Sequence, residues 1–459
     1  MTRGLSGNFK MNIANWGFDI SKEDHLVIGG CDSIKLAEEF GTPLHVIDKT
    51  KLLADYNRFL NAFRKSGLNV EVFYSYKTNC LPGMLQILHK ESAGAEVISH
   101  YELWLAIKLG VRPEKIIFNG PNKSLDSLRL AVQNGIRLIN IDSVNEISKI
   151  KKVANELSKR VNVGIRIKPP VGWQAQFGFD MVNDEALSAY EQLNKNDCFD
   201  VKGMHAHIGT GIKKPQSYAK TVETMLTFAK ALKDRLNIDI KHLDIGGGFC
   251  VPTVRNFGKI GSKLYSFFNN VPQILLNKGN PSIETFAEEI ANSVRKNCKR
   301  LNLREPDVFL EPGRAITSSA QVLLVTVGVV KNGNSGKKIA ITDGGKTTIA
   351  YPISFEYHEA FVANRMSKER TEKIRITGNL CTPADIIFRN KKLPELQEGD
   401  RLAIMDAGAY FMSFSNNFAF PRPPVVIVSG GESTLTRERE PFGHLIALDK
   451  NITRDKNEN

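Results

Sequence analysis

Lys77 closes a short apolar and aromatic segment, FYSYKTN at residues 73–79, and its amine is a candidate for chemistry. Lysine stems often cover apolar surface while the ammonium stays in water, so a lysine at the end of a strand is frequently structural. A placed amine has two further uses, as a clamp for phosphate or as a nucleophile toward a carbonyl carbon. The chain contains no GxxxxGK[ST] motif, which disfavours the phosphate clamp of a nucleotide site.

Other residues with useful chemistry follow three similar apolar segments. Glycine-rich turns expose backbone N–H groups and can bind anions, while imidazole, carboxylate and guanidinium groups can hold or move protons. Each signal is weak alone, because a glycine triplet is usually a turn and a histidine in a strand is usually structural. The candidates are His205, His207, Gly209, Thr210 and Gly211 after VKGM, Gly246–Gly248 in HLDIGGG, and Glu311, Pro312, Gly313 and Arg314 in DVFLEPGR.

The elements that must position these residues form an alternating pattern between about residues 71 and 314. Eight short apolar segments are separated mostly by helix-like stretches such as SYAKTVETMLTFAKALKDRL. Strands that alternate with helices predict a parallel sheet, and eight such units predict an α/β fold of the TIM-type (β/α)8 barrel. Functional residues in that barrel lie at the C-terminal ends of the strands, so the candidate residues should share one mouth.

The pattern changes after about residue 315, which predicts a second domain. Strand-like segments separated by turns, such as QVLLVTVGVVK and PPVVIVSGG, favour an antiparallel β-sandwich or barrel. We therefore expect a barrel over residues 41–315 and a β domain over residues 316–450. Residues 1–40 would complete the β domain, and the polar residues 451–459 would be a disordered tail.

Composition excludes several classes of function. The net charge of +13 is spread along the chain and accompanies no nucleic-acid motif, so no nucleic-acid partner is expected. No apolar run of 18 residues and no secretory signal appear, which predicts no membrane association and a cytoplasmic protein. Six scattered cysteines without a CxxC pair predict neither a zinc site nor a disulfide framework, and no metal is expected.

The candidate residues together suggest a cofactor. An amine that forms an imine, beside anion-binding turns, fits a carbonyl cofactor with a phosphate group, which is pyridoxal 5′-phosphate (PLP). This cofactor also needs a partner for its pyridine nitrogen, and Glu311 would supply one.

Six motifs in order then resemble those of the fold-type III PLP decarboxylases, the group that includes diaminopimelate and ornithine/arginine decarboxylases. They are YSYKTN, HAHIGTG, LDIGGGF, EPGRAI, NLCTPADII and MDAGAY, and they cover nearly the whole chain. The resemblance implies that Lys77 holds PLP covalently, His207 stacks on its ring and Glu311 pairs with the pyridine nitrogen. It also implies phosphate contacts from Thr210, Gly248, Gly313 and Tyr410, and places Arg314 at a substrate carboxylate or the phosphate.

The resemblance further implies that Cys381 enters the site of a neighbouring subunit and returns a proton after CO2 leaves. The enzyme would then be an obligate homodimer with shared active sites. Glu311 favours a decarboxylase over an amino-acid racemase, because a charged partner keeps the ring an electron sink. A non-catalytic homologue is disfavoured because Lys77, His207, Glu311 and Cys381 are all present.

Residues expected at the distal end of the substrate differ from the family pattern. Diaminopimelate decarboxylases typically show R-P-x-x-Y and C-E-S-x-D. At the positions of the arginine, the tyrosine and the glutamate of these motifs, which bind the distal end of the substrate, this chain has Tyr351, Phe355 and Thr382. Glu356 is a further candidate for binding a distal amine of the substrate. These changes predict a different or conjugated amino acid, such as a siderophore intermediate or an aminoacyl group on an acidic acyl-carrier protein. The alternative is an authentic diaminopimelate decarboxylase of lysine biosynthesis.

Overall fold

The computed structural model describes residues 13–256, 280–333, 336–349 and 356–450. Residues Tyr351 and Phe355, and the tail 451–459, lie outside the described residues. The chain forms two compact units. One contains the described residues of 51–256 and 277–318, and the other contains those of 13–50 and of 319–450.

The described chain begins with a 3₁₀ helix (Ile13–Trp16), followed by short strands of the second unit. A three-stranded antiparallel sheet precedes a helix whose N-cap, Asp32, accepts hydrogen bonds from the backbone N–H groups of Ile34 and Lys35. These elements are β1 (Asp19–Ile20), β2 (Leu26–Ile28), β3 (Cys31–Asp32), helix α1 (Ser33–Phe40) and the buried strand β4 (Leu44–Asp48). Strand β4 falls inside the 41–315 range expected for the barrel, but it pairs with strands of the second unit.

Eight parallel strands form a closed barrel, which confirms the predicted fold class. The last barrel strand pairs with the first, and the fourth pairs with the fifth, so the ring has no open edge. In chain order the strands of this unit are β5 (Val70–Ser75), β6 (Gly94–Val97), β7 (Ile116–Phe118), β8 (Leu138–Ile141), β9 (Val161–Lys168), the two-residue β10 (Phe179–Asp180), β11 (Phe199–His205), β12 (His242–Asp244), β13 (Arg255–Asn256) and β14 (Asp307–Leu310).

Helices connect most of the barrel strands, and several begin where a serine caps the first turn. Ser99, Ser124 and Ser282 each accept a hydrogen bond from the backbone N–H three residues later. The helices are α2 (Lys49–Lys65), α3 (Pro82–Lys90), α4 (His100–Lys108), α5 (Leu125–Asn134), α6 (Val144–Leu157), α7 (Glu185–Asn194), α8 (Pro215–Leu236), α9 (Ile283–Leu301) and the short α10 (Arg314–Thr317). Among the described residues, none of these or later helices has the length and apolar character needed to cross a membrane.

The second unit contains a mixed sheet rather than a purely antiparallel one. Most neighbouring strands are antiparallel, but β4 pairs in parallel with β22 (Val425–Ser429). Strands β16 (Lys338–Thr342) and β19 (Glu372–Thr377) are also parallel. Parallel neighbours need a long connection. Strands β4 and β22 satisfy this requirement, because they lie far apart in the sequence.

Several of the remaining strands of this unit line its apolar core, in which Leu323, Val325 and Ile404 are fully buried. These strands are β15 (Gln321–Asn332), β17 (Glu356–Tyr357), β18 (Ala360–Val362), β20 (Ile386–Leu393), β21 (Arg401–Ile404) and β23 (Glu432–Arg437), with short helices α11 (Lys346–Ile349) and α12 (Phe442–Leu445).

Candidate active site

Backbone contacts hold together the turns that follow four barrel strands, β5, β11, β12 and β14. The backbone N–H of Ser75, at the end of β5, donates to the carbonyl oxygen of Pro312, and that of Glu311 donates to Gly246. Ile212 donates to Gly248 in the same way. The predicted convergence of the Lys77, glycine-triplet and EPGR segments at one end of the barrel is therefore present in the structure.

Two glycines are required where these turns approach most closely. Gly248 has φ +88°, and a Cβ at this position would collide with the carbonyl oxygen of Gly209. A Cβ at Gly313 would collide with the hydroxyl of Thr78, which is adjacent to Lys77. Glycine at both positions therefore allows close approach of the loops after β11 and β12, and of the loops after β5 and β14.

Lys77 lies in a 3₁₀ turn (Tyr76–Thr78) directly after β5, and its side chain is 33% exposed. Its Nζ donates to Oε2 of Glu96, at 2.8 Å, and the Ser75 hydroxyl donates to the same oxygen. Glu96 itself is fully buried on β6. The partly accessible Lys77 amine is thus held by the carboxylate of Glu96, which is buried away from water.

Glu311 is buried at the end of β14 and is surrounded by polar groups from other strands. Its Oε2 lies 3.5 Å from Nε2 of His205, and its Oε1 accepts a hydrogen bond from Nδ2 of Asn119. Burial favours a neutral carboxyl, but His205 and the Lys77 ammonium outweigh this effect and lower the pKa of Glu311 below its usual range. Glu311 is therefore a charged acceptor.

Asp244, at the end of β12, has the opposite ionisation. Burial and the nearby Glu311 charge raise the pKa of Asp244 well above its usual value. Its Oδ1 accepts the backbone N–H of Gly246 at 2.9 Å, which fixes the first glycine of the triplet. The polar atoms of His205, Asp244 and Glu311 all lie within 4.8 Å of one another. This compact group therefore contains one charged and one neutral carboxyl.

His207 follows β11 and retains some exposed surface. Its Nδ1 accepts the backbone N–H of Gly247 at 3.2 Å, so the ring is neutral and held in one orientation. Burial among protein atoms and the Lys77 charge lower the pKa of His207 to about 3. The ring centroid of Trp173 lies 5.8 Å from it in an edge-on arrangement.

The other predicted residues are distributed over both units. Thr210 is exposed beside the glycine turn, and Arg314 is buried at the start of α10. Four others belong to the second unit: Tyr410, Cys381, Thr382 and Glu356. Tyr410 has φ +71°, a left-handed conformation that is uncommon for a bulky residue and is often found at functional sites.

Cys381 and Thr382 lie in a turn that Asp385 anchors. The Cys381 side chain is exposed in the single chain, and Thr382 is half-buried. Oδ2 of the buried Asp385 accepts the backbone N–H of Leu380 at 2.9 Å, and its Oδ1 accepts that of Lys346 at 2.7 Å. Glu356 is buried, with Oε2 3.3 Å from Nε2 of His358, so it is not a solvated loop residue.

Several residues of the barrel site were not assigned any role from the sequence. Glu96, Asn119 and Asn140 lie on or just after strands, where a single polar side chain is a weak signal, and Asp244 precedes the glycine triplet. Trp173 lies in a loop. Only spatial proximity to Lys77, His207 or Glu311 distinguishes these residues from ordinary strand and loop residues.

Comparison with known proteins identifies the family. A family model described as the pyridoxal-binding domain of pyridoxal-dependent decarboxylases matches residues 50–318, which include all eight barrel strands. This chain belongs to the pyridoxal-dependent decarboxylases. It is therefore a PLP-dependent amino-acid decarboxylase, and the resemblance inferred from its motifs is confirmed.

Proteins similar to nearly the full length of the chain include several diaminopimelate decarboxylases. A diaminopimelate decarboxylase of Methanothermobacter thermautotrophicus is 32% identical over 93% of this chain and 96% of its own length. The Bacillus subtilis enzyme of the same name is 30% identical over 94% and 96%. The crystal structure of the Methanocaldococcus jannaschii enzyme matches with a TM-score of 0.85 at 30% identity, covering 95% of this chain and 98% of that one. This decarboxylase is thus of the diaminopimelate decarboxylase type.

The lowered pKa of His207 predicts that this residue makes the free energy of unfolding depend on pH. In the cofactor-free protein, the unfolded ring takes up a proton below pH 6.5 whereas the folded ring remains neutral to about pH 3. Stability is therefore lost as pH falls through this window. Urea unfolding at pH 7 and pH 5 should show a smaller loss in His207→Gln than in the wild type. An equal loss in both proteins would contradict the assignment of a neutral His207.

Proposed function

We propose that this enzyme removes the α-carboxylate of an amino acid at the barrel mouth, with Lys77 carrying PLP. The observation that supports this most is a single polar network that contains the Lys77 amine and the charged Glu311, joined through Glu96 and Asn119. When bound, PLP withdraws the electron pair that loss of CO2 leaves on the α-carbon.

The residues present fit this cofactor. Glu311 would hold a proton on the pyridine nitrogen, because a buried carboxylate with a lowered pKa is a charged acceptor. His207 would pack on the ring as a neutral plane, since its Nδ1 is occupied by Gly247. The charged state of Glu311 supports a decarboxylase rather than a racemase.

The glycine turns would hold the phosphate. The turns that contain Gly248 and Gly313 would present backbone N–H groups to an anion, and the exposed Thr210 follows Gly209, whose carbonyl oxygen lies against Gly248. Arg314, buried at the start of α10, would contribute charge to the phosphate or to a substrate carboxylate. The strained Tyr410 would complete the phosphate site, as the motif MDAGAY implies.

Cys381 would act as the acid that returns a proton to the α-carbon. Its exposure in the single chain supports a role in the site of a second copy, and hence a homodimer with shared sites. All six cysteines are free, which agrees with a reducing compartment such as the cytoplasm.

We propose meso-diaminopimelate as the substrate. The full-length relatives named above are diaminopimelate decarboxylases, and the Methanocaldococcus jannaschii enzyme has also been crystallised with L-lysine. The buried Glu356 would supply a carboxylate that binds the distal ammonium of the substrate. This function corresponds to the alternative that the sequence left open.

A second candidate is a substrate with a modified distal end. Thr382 occupies the position of the family glutamate, and a hydroxyl cannot replace a charge-assisted contact to an ammonium. The comparisons contain no support for a siderophore intermediate or for a carrier-linked group, so this candidate depends on Thr382 together with Tyr351 and Phe355.

Removing the Lys77 amine should abolish stable cofactor binding. Purified Lys77→Ala should lose the yellow absorption of bound PLP and all CO2 release, because no other amine replaces it. Lys90→Ala, at an exposed position on α3, is the matched control and should behave as wild type. Retention of the cofactor band after dialysis of Lys77→Ala would refute the covalent role.

Mixing inactive variants tests the shared site. Lys77→Ala and Cys381→Ala, each nearly inactive, should recover about a quarter of wild-type activity after co-refolding or co-expression. Half of randomly formed dimers are mixed, and each mixed dimer has one intact site of two. A mixture that remains as inactive as its components would show that Cys381 serves its own chain or is not the acid.

A substrate panel distinguishes the two candidate substrates. CO2 release should be fastest with meso-diaminopimelate among free amino acids that include L-lysine and L-ornithine. Thr382→Glu should raise kcat/KM for meso-diaminopimelate by about tenfold, the low end for a restored charge-assisted hydrogen bond. No turnover of meso-diaminopimelate by either protein would favour a modified or carrier-linked substrate.

A further inference from the structure

Asn119 joins the two functional carboxylates of the barrel. It follows β7, is 3% exposed, and its Nδ2 donates to Oε1 of Glu96 at 3.0 Å and to Oε1 of Glu311. An amide nitrogen has two protons, so both bonds can form at once. Glu96 in turn accepts from Lys77, at the opposite end of this chain of contacts.

A second amide fixes the orientation of the first. Oδ1 of Asn119 accepts a hydrogen bond from Nδ2 of the buried Asn140 on β8, at 2.8 Å. If the Asn119 amide were rotated by 180°, its oxygen would face two carboxylates and its NH2 group would face the NH2 group of Asn140. Both contacts would be repulsive, so the two carboxylates and the Asn140 amide together favour the orientation in which Asn119 donates to Glu96 and Glu311.

We propose that Asn119 is a positioning residue that holds Glu96 and Glu311 as a pair, with its amide oriented by Asn140. This inference depends on the proposed roles of Lys77 and Glu311 at the two ends of PLP. Because the Asn119 amide is neutral and donates two hydrogen bonds, it allows the buried carboxylates of Glu96 and Glu311 to lie near each other while each still accepts a hydrogen bond. Without this donor, Glu311 would bind a proton more tightly and would hold the proton on the pyridine nitrogen of bound PLP less effectively.

The surroundings of Glu311 support this role. Lys77, His205, His207 and Asp244 are the other titratable groups that act on Glu311 or Asp244. Asp244, close to Glu311, has its pKa raised by burial and by that charge, and its contact with Asn140 is long at 3.5 Å. Glu311 differs from Asp244 because His205 and Lys77 lower its pKa against the effect of burial, and because it accepts the hydrogen bond from Asn119.

The test compares three leucine substitutions in the holoenzyme. Asn119→Leu removes both donated bonds at similar volume, and Asn140→Leu removes only the group that orients the amide. Asn122→Leu, at an exposed position three residues along the same loop, is the matched control. Measurements are the PLP dissociation constant, kcat and KM, the thermal midpoint, and the 15N chemical shift of bound PLP labelled at the pyridine nitrogen.

Asn119→Leu should move the 15N shift toward the value of unprotonated pyridine and lower kcat about 10- to 100-fold, the range for lost hydrogen bonds to a charge. Asn140→Leu should move both quantities in the same direction by less, although it touches neither carboxylate. Asn122→Leu should change neither. If Asn119→Leu does not fold, Asn140→Leu still tests the orienting contact.

Two results would overturn the inference: an unchanged 15N shift in folded Asn119→Leu and Asn140→Leu, or a fall in thermal midpoint alone. Glu311→Gln separates this failure from failure of the proposed function. If Glu311→Gln leaves the 15N shift unchanged, Glu311 is not the partner of the pyridine nitrogen, and the proposed function fails in that part. If Glu311→Gln shifts it and the asparagine variants do not, only the role of Asn119 is rejected.

Discussion

The burial of two carboxylates, Glu96 and Glu311, is the constraint on which the barrel site depends. Removing a charged carboxylate from water costs several kcal/mol unless hydrogen bonds and opposite charge replace the solvent. Lys77 and Ser75 provide this for Glu96, His205 provides it for Glu311, and Asn119 serves both. Lys77 thus stabilises a buried carboxylate and would also hold the cofactor.

This arrangement requires a closed parallel barrel. The partners come from β5, β6, β7, β11 and β14, which are separated along the chain but end at the same mouth. Closure also brings the turns so close that a Cβ at Gly248 or Gly313 would collide with a neighbouring loop. The barrel geometry and the glycine turns therefore act together. Dense packing of the loops keeps water away from Glu311 and leaves the Lys77 amine partly accessible.

The second unit carries the residues that would choose the substrate and complete the reaction. Its Cys381 turn is anchored by Asp385, which binds two backbone N–H groups, so the exposed thiol is presented on a fixed loop. In the proposed function, the cofactor residues of the barrel and the candidate residues for the distal end of the substrate therefore belong to different parts of the sequence. Such a division would allow the PLP motifs to match the family closely while Thr382 departs from its pattern.

The sequence alone determined the eight strands, the family and the placement of Lys77, His207 and Glu311 at strand ends. These features depend on local periodicity and on the rule that parallel barrel strands end at one mouth. Only the tertiary structure revealed Glu96, Asn119, Asn140 and Asp244 as one network, and the parallel pairing of β4 with β22. A polar residue in a strand has the same local signal whether it faces a loop or a buried carboxylate. Its partners are distant in sequence, so only the folded barrel decides which donor meets which charge.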